Sequence, residues 1–134
     1  MKQEEKQLLL KDLCSRLPYG VICKLSCKLY AKGANISINE KLDTGGLEHF
    51  IFGTMEVLPY LRTMSSMTEE ECKELGNLSA TIENVGEILP NAPYYIEVAR
   101  PEQIDWLNAH HFDYRMLIDK GLALEALKDM YKND

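Results

Sequence analysis

The chain has 134 residues, of which 46% are hydrophobic and 27% charged, a composition typical of a single globular domain. Its net charge is −6 at pH 7, whereas general binders of nucleic acid or anionic membranes usually carry a positive charge. No apolar run is long enough to cross a bilayer, and residues 8–10 are too short for the core of a signal peptide. We therefore expect one cytoplasmic domain over residues 1–134, with no membrane partner and no general affinity for nucleic acid.

The four cysteines, at positions 14, 23, 27 and 72, lack the spacing of a secreted disulfide framework. Cys23 and Cys27 lie in a segment with strand periodicity, where four residues span about 13 Å, too far to share one zinc ion. We expect structural cysteines in the core, and we predict no cofactor.

The N-terminal half changes from helical to strand periodicity. Apolar residues at spacings of three and four predict a helix over residues 3–17, which Pro18 ends. Alternation from Val21 to residue 30 then predicts a strand with one buried face, and a turn at residues 32–33 leads to a second strand, at 35–41, with Ile36 and Ile38 inward.

Gly45-Gly46 predicts a hairpin turn, followed by a third strand at 47–52, which includes His49, and a possible fourth at 56–61. Consecutive short strands with tight turns indicate an antiparallel meander of three to four strands, either a small curled sheet or a partial barrel.

The C-terminal half is predicted to be mainly helical. Thr68 and Glu71 have the spacing of a capping box, and Gly76 is expected to end that helix in the left-handed conformation. Residues 79–93 are ambiguous, and residues 94–99 favour a short strand. Pro101 suits the first turn of a helix, Asp113 the cap of another through residue 120, and residues 122–131 a last short helix. The predicted fold class is therefore α+β.

Residues 106–115 are the most site-like stretch, because they hold the single Trp and two of the three His. Trp, Tyr and Arg are the side chains that most often dominate protein interfaces, so we predict a partner-binding surface with four exposed anchors: Trp106, His110, Tyr114 and Arg115. For the stretch as a whole, packing and capping rank ahead of partner binding, and partner binding ranks ahead of metal or catalytic use.

A metal or hydrolytic site using His110, His111 and Asp113, with His49 brought in from the sheet, is the alternative. Adjacent histidines on a helix point about 100° apart, so they do not chelate one ion as an i, i+4 pair would. This hypothesis needs at least three of the four side chains to converge on one point.

Residues 60–71, YLRTMSSMTEEE, and 104–115, IDWLNAHHFDYR, with residues 117–118 and 121–123, resemble the two hallmark segments of a family of small uncharacterised proteins. Members are encoded by gut Bacteroides-type bacteria and their phages or prophages. Residues 8–14 and 16–21 are similar to the start of that family. The family has Pro where Thr63 stands and Gly where Met116 stands, so the loop geometry there need not follow the family's. The resemblance implies a mobile-element or phage setting, and it supplies no activity, cofactor or catalytic residue to transfer to this chain.

Two functions remain open at this point. The first is a non-enzymatic phage or prophage accessory protein that binds another protein. The second is a small metal-binding protein or hydrolase. Direct DNA binding ranks behind both of these functions.

Overall fold

The computed structural model describes residues 2–28, 35–78 and 100–132. Within these ranges the chain forms four α-helices and a four-stranded sheet, which confirms the α+β prediction and its N-terminal helix. The helices are α1 (Gln3–Arg16), α2 (Thr44–Phe52), α3 (Glu69–Gly76) and α4 (Pro101–Ala109). The strands are β1 (Ile22–Lys28), β2 (Asn35–Lys41), β3 (Glu56–Leu61) and β4 (Leu124–Glu125). The predictions for residues 32–33, 79–93 and 94–99 lie outside the described residues.

The strands lie in the order β2-β1-β3-β4, so the sheet is not a simple meander. β1 pairs antiparallel with β2 on one side and with β3 on the other. β4 adds to the far side of β3 in parallel, with Tyr60 opposite Leu124. The predicted meander does not form, because a helix separates β2 from β3 and returns the chain to the free side of β1.

The main core lies where α1 packs its apolar stripe with the inner face of the sheet. Leu9 and Leu13 of α1 are fully buried in one cluster with Cys23 of β1 and with Val57 and Leu61 of β3. Side chains that alternate along β1 and β3 reach this cluster because successive residues of a strand point to opposite faces. The predicted buried face of the first strand is thereby confirmed.

Residues 43–52 form a helix where the sequence predicted a hairpin turn and a strand. The Asp43 carboxylate accepts a hydrogen bond of 2.7 Å from the Gly46 backbone N–H and caps α2. Gly53 ends the helix in the left-handed conformation, with φ of 74°. Glycine has a low helix propensity, so residues 45 and 46 led to the prediction of a turn. The Asp43 cap offsets the free-energy cost of placing these two glycines in a helix.

Ile36 and Ile38 do not point into the core, contrary to the prediction. They lie opposite Cys27 and Leu25 on the inner face of the sheet, but 47% and 45% of their surfaces are exposed. The prediction of a strand at these residues is correct, but the prediction that its isoleucines are buried is wrong. β2 is an outer strand, and it extends beyond the residues that cover the core.

The segment after α4 contains turns and a short strand in place of the two predicted helices. Asp113 caps a turn, since its carboxylate accepts from the backbone N–H groups of Leu117 and Ile118 at 2.8 and 3.0 Å. Met116 has a positive φ of 60°, which an α-helix does not allow. Gly121 adopts the left-handed conformation, with φ of 75°.

The capping box of α3 is confirmed, because Thr68 and Glu71 exchange the two expected hydrogen bonds. Gly76 is the last helical residue rather than a left-handed cap, and Asn77 follows it in the right-handed conformation. Pro101 begins α4 as predicted. Among the helices of the described residues, none is both long and apolar enough to cross a membrane.

The four cysteines are free thiols in different environments. Cys23 is fully buried, as predicted, and its burial raises its pKa to about 12, with a contribution from the Asp12 carboxylate. Cys14 is exposed, so the prediction of a core cysteine is wrong there.

Candidate functional site

Trp106 belongs to a second core between α3 and α4 and is not a surface anchor. Only 8% of its surface is exposed, and its indole N–H donates to the Glu74 carboxylate at 3.1 Å. Gln103, one turn earlier on α4, is fully buried and donates to the Leu75 carbonyl. The same cluster contains Met64, Met67, Leu75, Leu107, Phe112 and Tyr114. The prediction that the indole is exposed is therefore wrong, because α3 covers it.

His110 and His111 each pack against an aromatic ring. His110 stacks on Trp106 with ring centroids 3.9 Å apart, and its Nδ1 lies 2.9 Å from the Trp106 carbonyl. His111 is buried with a positive φ of 65°, and it stacks on Tyr131 at 3.7 Å. Its backbone carbonyl accepts from the Arg62 N–H at 2.7 Å. Both rings thus contribute to packing.

The predicted metal ligands do not form a metal site. Burial raises the pKa of Asp113, although the two backbone hydrogen bonds that its carboxylate accepts oppose this shift. His49 lies on α2 instead of a strand, and its Nδ1 is 2.7 Å from the Thr54 hydroxyl. Across residues 2–28, 35–78 and 100–132, no three His, Cys, Asp or Glu side chains are placed to hold one ion.

Tyr114 and Arg115 lie next to charged residues of α1 and form one buried network with them. Tyr114 is 1% exposed, and its hydroxyl donates to Asn108 at 2.8 Å. Arg115 donates to Asp12 at 2.6 Å, and its guanidinium also lies over the Tyr114 ring. Arg16 donates a hydrogen bond to the other carboxylate oxygen of Asp12 at 2.8 Å. The prediction that Tyr114 is exposed is therefore wrong.

Asp12 and Arg16 are the buried charges that the sequence prediction missed. Both are fully buried, and a second guanidinium nitrogen of Arg16 donates to the Phe112 carbonyl at 2.6 Å. The signal was present, since Asp12 follows Leu9 by three positions and Arg16 follows Leu13 by three. Their position on the apolar stripe of α1 marks them as charges that need partners.

A groove of about 380 Å³ lies beside β4, between the turn that follows β3 and the C-terminal segment. Ten residues line it: Arg62, Thr63, Ser66, Glu125, Ala126, Leu127, Asp129, Met130, Tyr131 and Lys132. Its volume falls within the range of ligand-binding sites, about 300–1,000 Å³. The sequence prediction did not include it, because its walls come from two parts of the chain about sixty residues apart.

The C-terminal wall of the groove is fixed to the sheet by Tyr131. Its hydroxyl accepts from the Ile22 N–H at 2.9 Å and donates to the Tyr60 carbonyl at 2.6 Å, so it connects β1 with β3. The Ala126 N–H donates to the Leu61 carbonyl at 2.7 Å. These bonds hold the segment in place.

The opposite wall is fixed by Arg62. Its guanidinium donates two hydrogen bonds to Glu71, at 2.8 and 2.7 Å, and lies over the Phe112 ring with 4.1 Å to the centroid. The hydrogen bonds from Arg62 hold the pKa of Glu71 below its usual value, against the opposing effect of burial. Arg62 is therefore already neutralised.

The groove offers mixed contacts of a kind suited to binding. Leu127, 56% exposed, and Met130 present apolar surface, while Glu125 and Asp129 present carboxylates. In the described part of the chain no cation pairs with either carboxylate. The Ser66 hydroxyl is directed to the Thr63 carbonyl at 2.7 Å, and no lining residue is a His or Cys that could activate it.

No family model, curated protein or solved structure matches this chain.

Proposed function

We propose that the protein is a non-enzymatic interaction protein that binds a segment of another protein in the groove beside β4. The observation that carries the proposal is the groove itself, about 380 Å³ in volume, with an exposed Leu127 and two carboxylates that pair with no cation among the described residues. Concave sites that combine apolar surface with a few placed polar groups are the usual sites of recognition. As in the sequence-based prediction, the proposed binding surface includes the C-terminal part of the chain. Its contact residues are those of the groove instead of the four predicted anchors.

The charges of the groove favour a basic segment as the ligand. Within residues 2–28, 35–78 and 100–132, Glu125 and Asp129 have no cationic partner, whereas Arg62 is neutralised by Glu71. Lys132 is the other cation of the lining, so two free carboxylates face one ammonium group. The net charge of −6 attracts basic partners at longer range. We therefore infer a partner segment with at least one Lys or Arg beside an apolar side chain that covers Leu127.

The alternative, a metal-binding protein or hydrolase using His110, His111 and Asp113, has no observation in its favour. Two of these side chains stack on aromatic rings, and the third caps a turn. In the phage or prophage setting that the family resemblance implies, the partner is a host or phage protein.

Selection of peptides from a random display library on the wild-type protein tests this function. We expect enriched peptides that combine basic and apolar residues, with affinities measured by calorimetry. Leu127→Asp should weaken binding about tenfold or more, since losing the apolar contact and desolvating a carboxylate there costs more than the attraction of that carboxylate for the basic ligand gains. Glu125→Lys should weaken it through like-charge repulsion.

The matched control is Ile51→Asp, which also places a carboxylate at an exposed apolar position, on α2, outside the groove lining. It should leave the peptide affinity within about twofold of wild type. If no peptide is enriched, or if Leu127→Asp and Ile51→Asp have the same effect, the groove is not the binding surface.

A further inference from the structure

Over residues 35–39, the described part of the chain gives the outer edge of β2 none of the features that usually protect an exposed strand. In the part of the chain that the structure describes, no strand pairs with this side of β2. Residues 35–39 contain no charge, proline or glycine, and every residue of this stretch pairs regularly with β1. Natural proteins normally protect such edges with lysines, prolines or bulges, because free backbone N–H and C=O groups recruit another strand.

Two large apolar side chains stand at this edge. Ile36 and Ile38 are 47% and 45% exposed, and both lie on the inner face of the sheet, opposite Cys27 and Leu25. The apolar face of the sheet therefore continues onto a strand that the core does not cover. A further strand added here would find backbone partners and apolar side chains on the same edge.

The sequence of this edge identifies the strand that fits it. Residues 35–39 read Asn-Ile-Ser-Ile-Asn, which is the same in both directions. In an antiparallel pair centred on Ser37, each residue of one copy would therefore lie opposite the same residue type in a second copy. Ile36 would lie opposite Ile38 of the second copy, and Ile38 opposite its Ile36.

We propose that two copies of this chain pair antiparallel through β2, centred on Ser37, to form a dimer with a continuous eight-stranded sheet. A two-fold axis perpendicular to the sheet keeps the faces of the two copies aligned, so the four isoleucines form one cluster on the inner face. Directly opposed β-branched pairs are favourable in antiparallel sheets. The charged residues Glu40 and Lys41 fall outside the five paired positions, so they do not oppose the pairing.

Association through β2 stops at two copies, because a two-fold pair uses the β2 edge of both copies. At the other end of the sheet, part of β3 is already paired. β4 and the segment that follows it are held along β3 by the Ala126–Leu61 hydrogen bond and by Tyr131. A strand pair of five residues buries less than the roughly 1,200 Å² of a standard stable interface, so the dimer should depend on concentration. The groove beside β4 lies at the opposite end of the strand order, so this inference is independent of the proposed function.

Sedimentation equilibrium of the wild-type protein tests the dimer, in about 0.15 M salt so that repulsion between the two negative copies is screened. We expect a reversible monomer–dimer equilibrium. Ile38→Lys should weaken it about tenfold or more, since it places two lysines in the paired region. Ile51→Lys is the matched control, because Ile51 is also 45% exposed but lies on α2, and it should leave the equilibrium unchanged.

Cysteine crosslinking tests the register in a Cys14→Ser background, which removes the exposed native thiol. Ser37→Cys should form a disulfide-linked dimer under mild oxidation, because the two residues at position 37 are directly opposed. Asn39→Cys should not, since two residues at position 39 would be four positions out of register, about 13 Å apart. A wild-type protein that stays monomeric at all concentrations overturns the dimer, as does equal weakening by Ile38→Lys and Ile51→Lys. More efficient crosslinking at 39 than at 37 overturns the register.

Discussion

Asp12 and Arg115 are 103 residues apart in the chain and form a hydrogen-bonded ion pair of 2.6 Å. The same carboxylate pairs with Arg16, one turn further along α1. The N-terminal helix is therefore tied to the turn that follows α4 by one buried anion and two cations. A buried anion shared in this way is stabilising only while all of its partners are present.

Asp12→Asn should destabilise the protein by about 3 kcal/mol, because it leaves the fully buried Arg16 and the partly buried Arg115 without their anion. Urea denaturation followed by Trp106 fluorescence measures the free energy of unfolding. Asp119→Asn is the control, since Asp119 is exposed, and it should change stability by less than about 0.5 kcal/mol. A cost for Asp12→Asn as small as that of the control would show that the pair contributes nothing.

The limits of sequence prediction can be seen in this network. The position of Asp12 and Arg16 on the apolar stripe of α1 could be read from the sequence, because helical periodicity depends only on residues that are close together in the chain. The pairing of Asp12 with Arg115 was not, since nothing in either segment specifies a contact over such a separation. The capping box at Thr68 and the helix start at Pro101 were predicted correctly for the same reason of locality.

The failures have similar causes. Residues 47–52 alternate well enough for a strand, and only the cap from Asp43 distinguishes the helix that they form. Ile36 and Ile38 have the pattern of a buried strand face, but the cover of that face depends on how far α1 extends across the sheet. Trp106 was predicted to be exposed because its residue type suits interfaces, and residue type alone does not determine burial.

Gly53→Ala and Gly45→Ala should have opposite effects on stability, although both glycines belong to α2 or its cap. Gly53 has φ of 74° and no neighbouring atom within 4 Å, so alanine there meets only backbone strain and should cost about 1 kcal/mol. Gly45 is helical, and an added Cβ would meet the Asp43 carboxylate at an ordinary 3.4 Å. Alanine there should stabilise by up to about 1 kcal/mol. Thermal unfolding of both variants measures the difference, and effects of the same sign would contradict the cap assignment.

Tyr131→Phe should release the C-terminal segment from the sheet while leaving the ring that stacks on His111. The lost hydroxyl leaves the Ile22 N–H and the Tyr60 carbonyl without this partner, at a cost of about 1–2 kcal/mol. Hydrogen exchange at the Ile22 amide should accelerate. Tyr19→Phe, at an exposed tyrosine, is the control and should leave that amide unchanged. Unchanged exchange in both variants would mean that the hydroxyl does not hold the segment.

The ion pair between Arg62 and Glu71 should make stability depend on pH in the acidic range. The pKa of Glu71 lies below its usual value of 4.5 because it accepts hydrogen bonds from Arg62. The folded state therefore binds fewer protons at this group than the unfolded state, so its contribution is complete above pH 4.5. That contribution is lost as the pH falls from 4.5 through the lowered pKa of the folded state.

Glu71→Gln removes this charge and keeps a side chain that can complete the capping box with Thr68. It should cost about 1 kcal/mol at neutral pH, because the pair is partly exposed and partly screened. Urea denaturation from neutral pH to below pH 4 should show a smaller loss of stability for Glu71→Gln than for the wild type. Glu70→Gln, exposed in the same helical turn, should keep the wild-type pH profile. If Glu71→Gln and wild type lose stability in parallel as the pH falls, the pair with Arg62 is not the source of the pH dependence.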